Sequence, residues 1–343
     1  MTAMRRFHRA SAAVVAALAA AGCEGVQPMM APGGPQARSL AQLGWFTLIT
    51  FAAVSVVMWV LIFWVAVRRR GTLAEHAQPD APSDHRWIVI GGFLIPAVIL
   101  CIIFVLTLKT MAAFPLGDHE MQAGEPPITI TGHQWWWEIQ YQVGAQPSEH
   151  FVTANEIHIP AGQPVDIRLE TRDVIHSFWV PRLHGKVDLM PGFSNRIRIQ
   201  ADAPELFRGE CAEFCGPQHA HMILLVQADA PADYDAWLAR MRQPAAAPAA
   251  GMAARGQQVF MTHACVLCHT VRGTPAHGLV GPDLTHFGSR KGLAANSYPN
   301  ATGFLAAWVT HAQTMKPNAQ MPNITAFTGE ELRALTEYLE GLK

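Results

Sequence analysis

The sequence predicts a multidomain membrane protein, with a hairpin of two transmembrane helices, an all-β domain and a small all-α domain. Residues 39–67 and 87–108 carry no charge, and each stretch exceeds the roughly 20 residues that cross a bilayer as a helix. From about residue 127 to 230 the chain has short apolar or alternating runs broken by turn residues, the pattern of a sandwich or barrel. The last hundred residues show helical patterns.

The N-terminus has the pattern of an export signal. Three arginines precede an apolar run that ends in small residues, which predicts a signal peptide over residues 1–22. Cys23 follows the small residues directly, as in bacterial lipoprotein processing. Ala20 stands where Leu is usual, so ordinary cleavage nearby is the alternative.

The predicted transmembrane region spans residues 39–108, and the basic residues between its two helices set its orientation. Arg68, Arg69, Arg70 and Arg86 lie in or beside this loop, so the positive-inside rule places the loop in the cytoplasm. The chain after residue 108 is then periplasmic. We therefore expect a multi-pass protein of the bacterial inner (cytoplasmic) membrane.

A dense group of soft metal ligands lies late in the β region. Cys211, Cys215, His219 and Met222 fall within twelve residues, and thiolate, imidazole and thioether all suit copper. Two thiolates four residues apart can bridge two copper ions, with one imidazole for each, and His176 is the best candidate for the second imidazole. A disulfide or a zinc knot would explain neither the methionine nor the separate histidine.

A second metal motif is Cys265-Val-Leu-Cys268-His269, the attachment signature of c-type haem. Its thiols would bond the haem vinyl groups, and His269 would be the proximal iron ligand. A bare CxxCH also fits a redox dithiol, but the Gly-Pro and Met-Pro segments that follow resemble class I cytochromes c. Met321, directly before a proline, is the predicted axial ligand, and Met315 is predicted to be core.

The motifs CxExCGxxHxxM and DVxHSFxVP resemble those of subunit II of the haem-copper cytochrome c oxidases. The resemblance implies a cupredoxin Greek-key barrel with a binuclear copper A, in which the cysteines bridge the metals and the histidines cap them. The implied ligands are His176, Cys211, Cys215, His219, Met222 and the backbone carbonyl of Glu213. The side chain of Glu213 is implied to bind magnesium at the interface with subunit I.

The segment Gly132-His-Gln-Trp135-Trp136-Trp137 resembles the family pattern GHQWxW. There the first tryptophan lies between the electron donor and the copper, and that role is carried to Trp135 alone. Because neighbouring strand residues alternate faces, Trp136 is expected on the opposite side. Trp137 is interpreted as packing.

These parts predict a subunit II with a fused cytochrome c, of the caa type. The domains are a copper-A cupredoxin domain over residues 109–242, a Pro/Ala linker over 243–251 and an all-α class I cytochrome c domain over 252–343. Electrons would pass from one covalent haem c to copper A, and then to the oxygen-reducing site of subunit I. That site is not expected on this chain, so proton-translocating oxygen reduction belongs to the complex.

The expected partners are subunit I, subunit III, the membrane, and cytochrome c or another periplasmic donor. A copper-A subunit of a nitric-oxide reductase is the alternative, since only the catalytic partner separates the two. Quinol oxidase subunits lack the thiolates, and the two spans and the haem domain argue against a metallochaperone or sensor. A net charge of −1 gives no support to nucleic-acid binding.

Charge also suggests how the two soluble domains associate. Residues 109–242 hold 10 Lys and Arg against 17 Asp and Glu, whereas residues 243–343 hold 7 against 5. Opposite net charges favour docking of the haem domain on the copper domain, with steering that salt weakens. The effect should be modest because the linker already gives a high local concentration.

The chain departs from the family at several positions. Phe193 stands where many members have Arg, and Arg172 where an acidic residue is common. Val89 occupies the place of a Glu that opens a proton channel in many members, and valine cannot take a proton. We expect no carboxylate of this span in proton delivery, and Asp84 is the nearest alternative.

Overall fold

The computed structural model describes residues 25–68, 81–112, 114, 126–144 and 146–343. The expected signal peptide, Cys23, Arg69 and Arg70 lie outside these residues, as does the side chain of Asp84. Two compact units are present, with residues 38–116 forming one of them. The other unit contains the β domain and the haem domain.

The smaller unit is the helical hairpin. It consists of helix α1 (Pro35–Arg68) and a second helical run, which is made of α2 (Ala81–Val89), a π-helical turn (Ile90–Leu94) and α3 (Ile95–Ala112). Both are apolar along most of their length. Both are long enough to span a membrane, and no residue is buried in the apolar 18-residue window of either helix. Pro96 explains the wide π turn, because it has no N–H to donate to the carbonyl four residues earlier.

The β domain is a sandwich of two five-stranded sheets, and this confirms the cupredoxin-type prediction. Its strands are β1 (Ile128–His133), β2 (Trp136–Tyr141), β3 (Phe151–Ala154), β4 (Glu156–Pro160), β5 (Val165–Thr171), β6 (His176–Trp179), β7 (Val187–Leu189), β8 (Asn195–Ile199), β9 (Glu205–Cys211) and β10 (Ile223–Asp229). The sheet orders are β3-β2-β1-β5-β8 and β4-β10-β9-β6-β7. Inward residues alternate along the strands and form one core.

Helix α4 (Pro231–Met241) closes the sandwich by placing the buried Trp237 on Tyr141, Phe151 and His158. The stretch after it, predicted as a linker, lies against the haem domain: the Ala245 N–H donates to the Arg272 carbonyl at 2.9 Å.

The haem domain is small and largely helical, as predicted. It contains α5 (Met252–Thr262), α6 (Cys265–Cys268), α7 (Thr302–Met315) and α8 (Gly329–Gly341), and a short pair, β11 (Gly292–Leu293) with β12 (Tyr298–Pro299). Gly256 permits the close crossing of α5 and α8, because a Cβ there would lie 1.9 Å from the Ala334 carbonyl oxygen. Thr328 and Glu331 form a capping box at the start of α8.

Candidate metal centres

The β sandwich brings the predicted copper ligands together at one end. His176 begins β6, Cys211 ends β9, and the two strands are paired antiparallel with Phe178 opposite Cys211. The loop from β9 to β10 supplies Cys215, His219 and Met222. Neighbouring strands and their connecting loop thus place residues that are far apart in sequence around one point.

The donor atoms lie within a few ångströms of one another. The Cys211 and Cys215 sulfurs are 3.7 Å apart, and each is close to one histidine Nδ1, at 3.8 Å for His176 and 3.6 Å for His219. The Met222 sulfur is 4.0 Å from that of Cys215. The carbonyl oxygen of Glu213 is 3.2 Å from the Cys211 sulfur. This is the full set that the resemblance implied.

Burial separates the two sides of this cluster. His176, Cys211, Cys215 and Met222 are buried, whereas His219 is half-buried beside Phe214. Among the described residues, the group of His, Cys, Asp or Glu side chains that could hold a metal ion consists of His176, Cys211 and Cys215. Their ligand atoms lie within 4.8 Å of one another. Soft sulfur and imidazole donors favour copper.

Proton sharing between the thiols favours metal binding. The Cys215 thiol hydrogen-bonds to Cys211 and lowers the Cys211 pKa to about 3. The same hydrogen bond raises the pKa of Cys215 well above its usual range. Cys211 therefore ionises more readily than Cys215, and a metal that binds both would displace the remaining proton.

The orientation of His176 depends on Asp173. The His176 Nε2 donates to the Asp173 carboxylate at 2.8 Å, and Asp173 also accepts a hydrogen bond from the Gln134 N–H at 2.7 Å. Burial opposes the charged ring, but these contacts and Cys211 raise the pKa of His176 above its usual value. This hydrogen bond leaves Nδ1 facing the cysteines. In metal sites, carboxylates outside the ligand set commonly orient a histidine ligand in this way. Gly132 is required beside this ring, because a Cβ would lie 2.8 Å from the His176 ring.

The predicted haem ligands line one large cavity of the haem domain. Cys265, Cys268, His269 and Met321 are all part of its wall, which encloses about 1410 Å³ including its open mouth. His269 Nδ1 contacts the Pro282 carbonyl at 2.8 Å, so Nε2 is free to ligate. Burial lowers the pKa of His269 and keeps the imidazole neutral. Two thiols, a neutral imidazole and an apolar wall fit a c-type haem.

The two candidate methionines differ in position. Met321 lines the cavity, and Gln313 holds its loop by donating to the Met321 carbonyl at 2.7 Å. Met315 is not part of that wall and packs against the domain core. The arrangement is the one expected if Met321 is the axial ligand.

Trp135 belongs to the surroundings of both centres. Its side chain lines the haem cavity, and its indole Nε1 donates to the carbonyl of Cys215 at 3.0 Å. Trp136 stacks on His133 at 4.4 Å and also lines the haem cavity, whereas Trp137 is fully buried. Trp135 lies in the turn before β2, so the expected alternation of strand faces applies to Trp136 and Trp137 alone.

Sequence reasoning missed several residues around the centres. Asp173 lies inside the quoted histidine motif, and Lys316 precedes the Met-Pro segment, but neither received a role. Glu156 and Arg290 gave no signal at all, because isolated charged residues are common at surfaces. In the structure Glu156 is buried and Arg290 is half-buried beside the haem cavity.

The fold and the two centres define a membrane-anchored electron-transfer protein with a copper-binding cupredoxin domain and a c-type cytochrome domain. Residues 143–229 match the family model for the periplasmic domain of cytochrome c oxidase subunit II, and residues 253–343 match that for cytochrome c. Cytochrome c oxidase subunit 2 of Alkalihalophilus pseudofirmus is 34% identical and covers 94% of this chain and 93% of its own. The chain therefore belongs to the cytochrome c oxidase subunit II family.

Other relatives are also named as subunit 2 of an oxidase. Cytochrome c oxidase subunit 2 of Bacillus subtilis is 28% identical over 83% of each chain. Quinol oxidase subunit 2 of Bacillus cereus is 27% identical over 65% of this chain and 76% of its own. Neither relative favours the nitric-oxide reductase alternative. The protein is a subunit of cytochrome c oxidase with an electron-input role, its domains imply copper A and haem c, and its copper domain is of the periplasmic type.

Proposed function

We propose that this chain receives electrons at haem c and passes them to a binuclear copper A, from which they continue to the haem-copper site of subunit I. The observation that carries the proposal is the position of Trp135, which lines the haem cavity and hydrogen-bonds to the backbone of Cys215. The two cofactors supply one-electron redox chemistry, and the protein fixes their position and surroundings.

Each residue at the copper centre has a proposed role. Cys211 and Cys215 bridge two copper ions, one histidine caps each ion, and the Met222 sulfur and Glu213 carbonyl are the weak ligands. The support is the spacing of 3.2–4.0 Å between neighbouring donor atoms. At the haem, Cys265 and Cys268 form the covalent bonds, and His269 and Met321 ligate the iron.

The Glu213 side chain is proposed to bind magnesium with ligands from subunit I. Its carboxylate is 43% exposed and lies 3.9 Å from Lys186. A carboxylate is a suitable ligand for this hard cation, and its exposure leaves it accessible to a partner.

The proposed setting is the bacterial inner membrane, with subunits I and III as partners and cytochrome c or another periplasmic protein as donor. The proposed boundaries are 1–22 for the signal peptide, 39–108 for the membrane hairpin, 109–242 for the copper domain, 243–251 for the linker and 252–343 for the haem domain. The two long apolar helices support this topology.

Purification through a tag on this chain tests the function directly. The complex should contain a haem-copper subunit I and consume oxygen with reduced cytochrome c. Both the haem c and the copper-A absorption should change during turnover. A complex that reduces nitric oxide without consuming oxygen would contradict the proposal.

A further inference from the structure

A lysine of the haem domain is buried at the boundary with the copper domain. Lys316 is 3% exposed, and its ammonium donates to the carbonyls of Trp135 at 2.8 Å, His221 at 2.7 Å and Ala294 at 3.0 Å. An ammonium has three N–H groups, and each has an acceptor. Burial lowers the pKa of Lys316 to about 7, because removing the charged ammonium from water costs free energy. The three hydrogen bonds offset part of this cost.

The copper domain makes the reciprocal contact. Glu156, at the start of β4, is 7% exposed and accepts from the backbone N–H groups of Lys291 at 2.5 Å and Gly292 at 3.2 Å. Each domain therefore has a charged side chain that hydrogen-bonds to backbone groups of the other domain. Such contacts fix an orientation, because backbone groups have fixed positions, whereas a general attraction between net charges does not.

The haem-domain loop at this boundary adopts an unfavourable backbone. Ala294, Ala295 and Asn296 have φ values of 54°, 57° and 56°, in the left-handed region that alanine avoids. Lys316 donates to the first of them, the Ile223 N–H donates to the Ala295 carbonyl at 3.2 Å, and Asn296 donates to the Asn155 carbonyl at 2.8 Å. Contacts with the copper domain thus hold the loop in this conformation.

Lys316 also lies between the two centres. It is five residues before Met321 and is part of the haem cavity wall. Its acceptor Trp135 donates in turn to the Cys215 carbonyl at 3.0 Å. Two consecutive hydrogen bonds therefore join the wall of the haem cavity to the backbone of a proposed copper ligand.

We propose that Lys316 is a positioning residue for electron transfer, which fixes the haem-binding loop on the Trp135 edge of the copper domain. The haem iron loses one electron and copper A gains it, while Lys316 exchanges neither electron nor proton. The haem domain then works as a docked donor and not as a mobile carrier on a linker. This inference rests on the proposed function.

The test uses the purified oxidase with Lys316→Met, which keeps the side-chain length and removes charge and donors. Lys291→Met is the matched control, because its side chain is exposed and its interdomain contact is made by the backbone N–H. We expect haem c to copper A transfer after photoreduction to slow about tenfold, the order by which one charged hydrogen bond changes an equilibrium. Lys316→Arg should restore part of the rate.

Two further measurements separate positioning from a general loss of structure. During turnover, Lys316→Met should leave haem c more reduced and copper A more oxidised, with both absorption spectra unchanged. Hydrogen exchange in the full chain should be faster at residues 221–227 and 290–298. If Lys316→Met does not fold, Glu156→Gln should show the same redox pattern with a smaller slowing.

Unchanged transfer, redox levels and exchange in both variants would overturn the role of Lys316. Failure of the proposed function looks different, because haem c or copper A would then stay in one redox state during turnover of the unsubstituted oxidase. Faster exchange in the variants with unchanged transfer would also overturn the proposal, since docking would then not limit the electron.

Discussion

The copper centre and the haem site depend on their cofactors to different degrees. The copper donors occupy one edge of a large core, in which Cys211, Cys215 and Met222 are the only proposed ligands within the buried apolar cluster. In the haem domain, nine of the fourteen residues in the main buried apolar cluster also line the haem cavity. These are Phe260, Cys265, Leu284, Phe287, Leu293, Leu305, Val309, Leu335 and Leu339. Paired strands thus assemble the copper site, whereas the haem completes its own domain.

The strongest test of this difference removes the haem. In the full chain, Cys265→Ala/Cys268→Ala should abolish the haem that survives denaturing electrophoresis, and the haem domain should lose its cooperative unfolding transition because its core would face an unfilled cavity. Circular dichroism and haem staining measure both effects. Copper-A absorption should persist, and Cys101→Ala is the control. A haem-free domain that keeps its transition would contradict the comparison.

The converse test is made at the copper centre. Cys215→Ser should abolish the mixed-valence signal of an electron shared by two coppers, but the metal-free β domain should stay folded. Its free energy of unfolding should fall by about 1 kcal/mol, typical of one substitution. Paramagnetic resonance, metal analysis and denaturant unfolding provide the readouts. One copper per unsubstituted chain, or a zinc-only protein, would refute the binuclear assignment.

Substitution of the proposed methionine ligand of the haem iron should have a smaller effect than removal of the haem. Met321→Leu should remove the sulfur-to-iron band and lower the haem potential, because a methionine ligand raises it. Met315→Leu is matched in chemistry and should leave both unchanged, since Met315 packs in the core. Optical spectra and redox titration decide between them. The opposite result would identify Met315 as the ligand.

Trp135 tests the connection between the two regions. Trp135→Phe removes the hydrogen bond to the Cys215 carbonyl and should slow haem c to copper A transfer several-fold with both spectra intact. Trp237→Phe is the control, because that ring packs on Tyr141 and Phe151 and is not part of the haem cavity wall. Loss of copper would instead mean that Trp135 is structural, and an unchanged rate would exclude it from the path.

The smallest effect concerns the last helix, which belongs to the haem domain alone. Thr328→Ala should lower that domain's free energy of unfolding by about 1 kcal/mol. Hydrogen bonds from the Thr328 N–H and from its hydroxyl lower the pKa of Glu331 below its ordinary value of 4.5, and the variant removes the hydroxyl donor. Its stabilisation is therefore present above pH 4.5 and is lost as the pH falls through the lowered value. Thermal unfolding against pH in both proteins measures this, and equal acid sensitivity would contradict it.

Much of this protein follows from its sequence because the decisive patterns are local. The fold classes follow from hydropathy and strand spacing. CxxCH and the cysteine loop concentrate the candidate ligands in short segments, so Cys211, Cys215 and His219 could be proposed without a fold. His176 lies further away, but its motif is specific.

Tertiary structure alone decided how these parts are arranged. The hydrogen bond from His176 to Asp173, the space that Gly132 provides, and the separation of Met321 from Met315 depend on strand pairing and loop paths. The docking of the haem domain was anticipated only as a weak attraction of net charges. Its actual contacts join Lys316 and Glu156 to backbone groups, which every residue type provides. The sequence determined which cofactors the chain can bind, and packing determined how their domains meet, because such backbone contacts have no sequence signature.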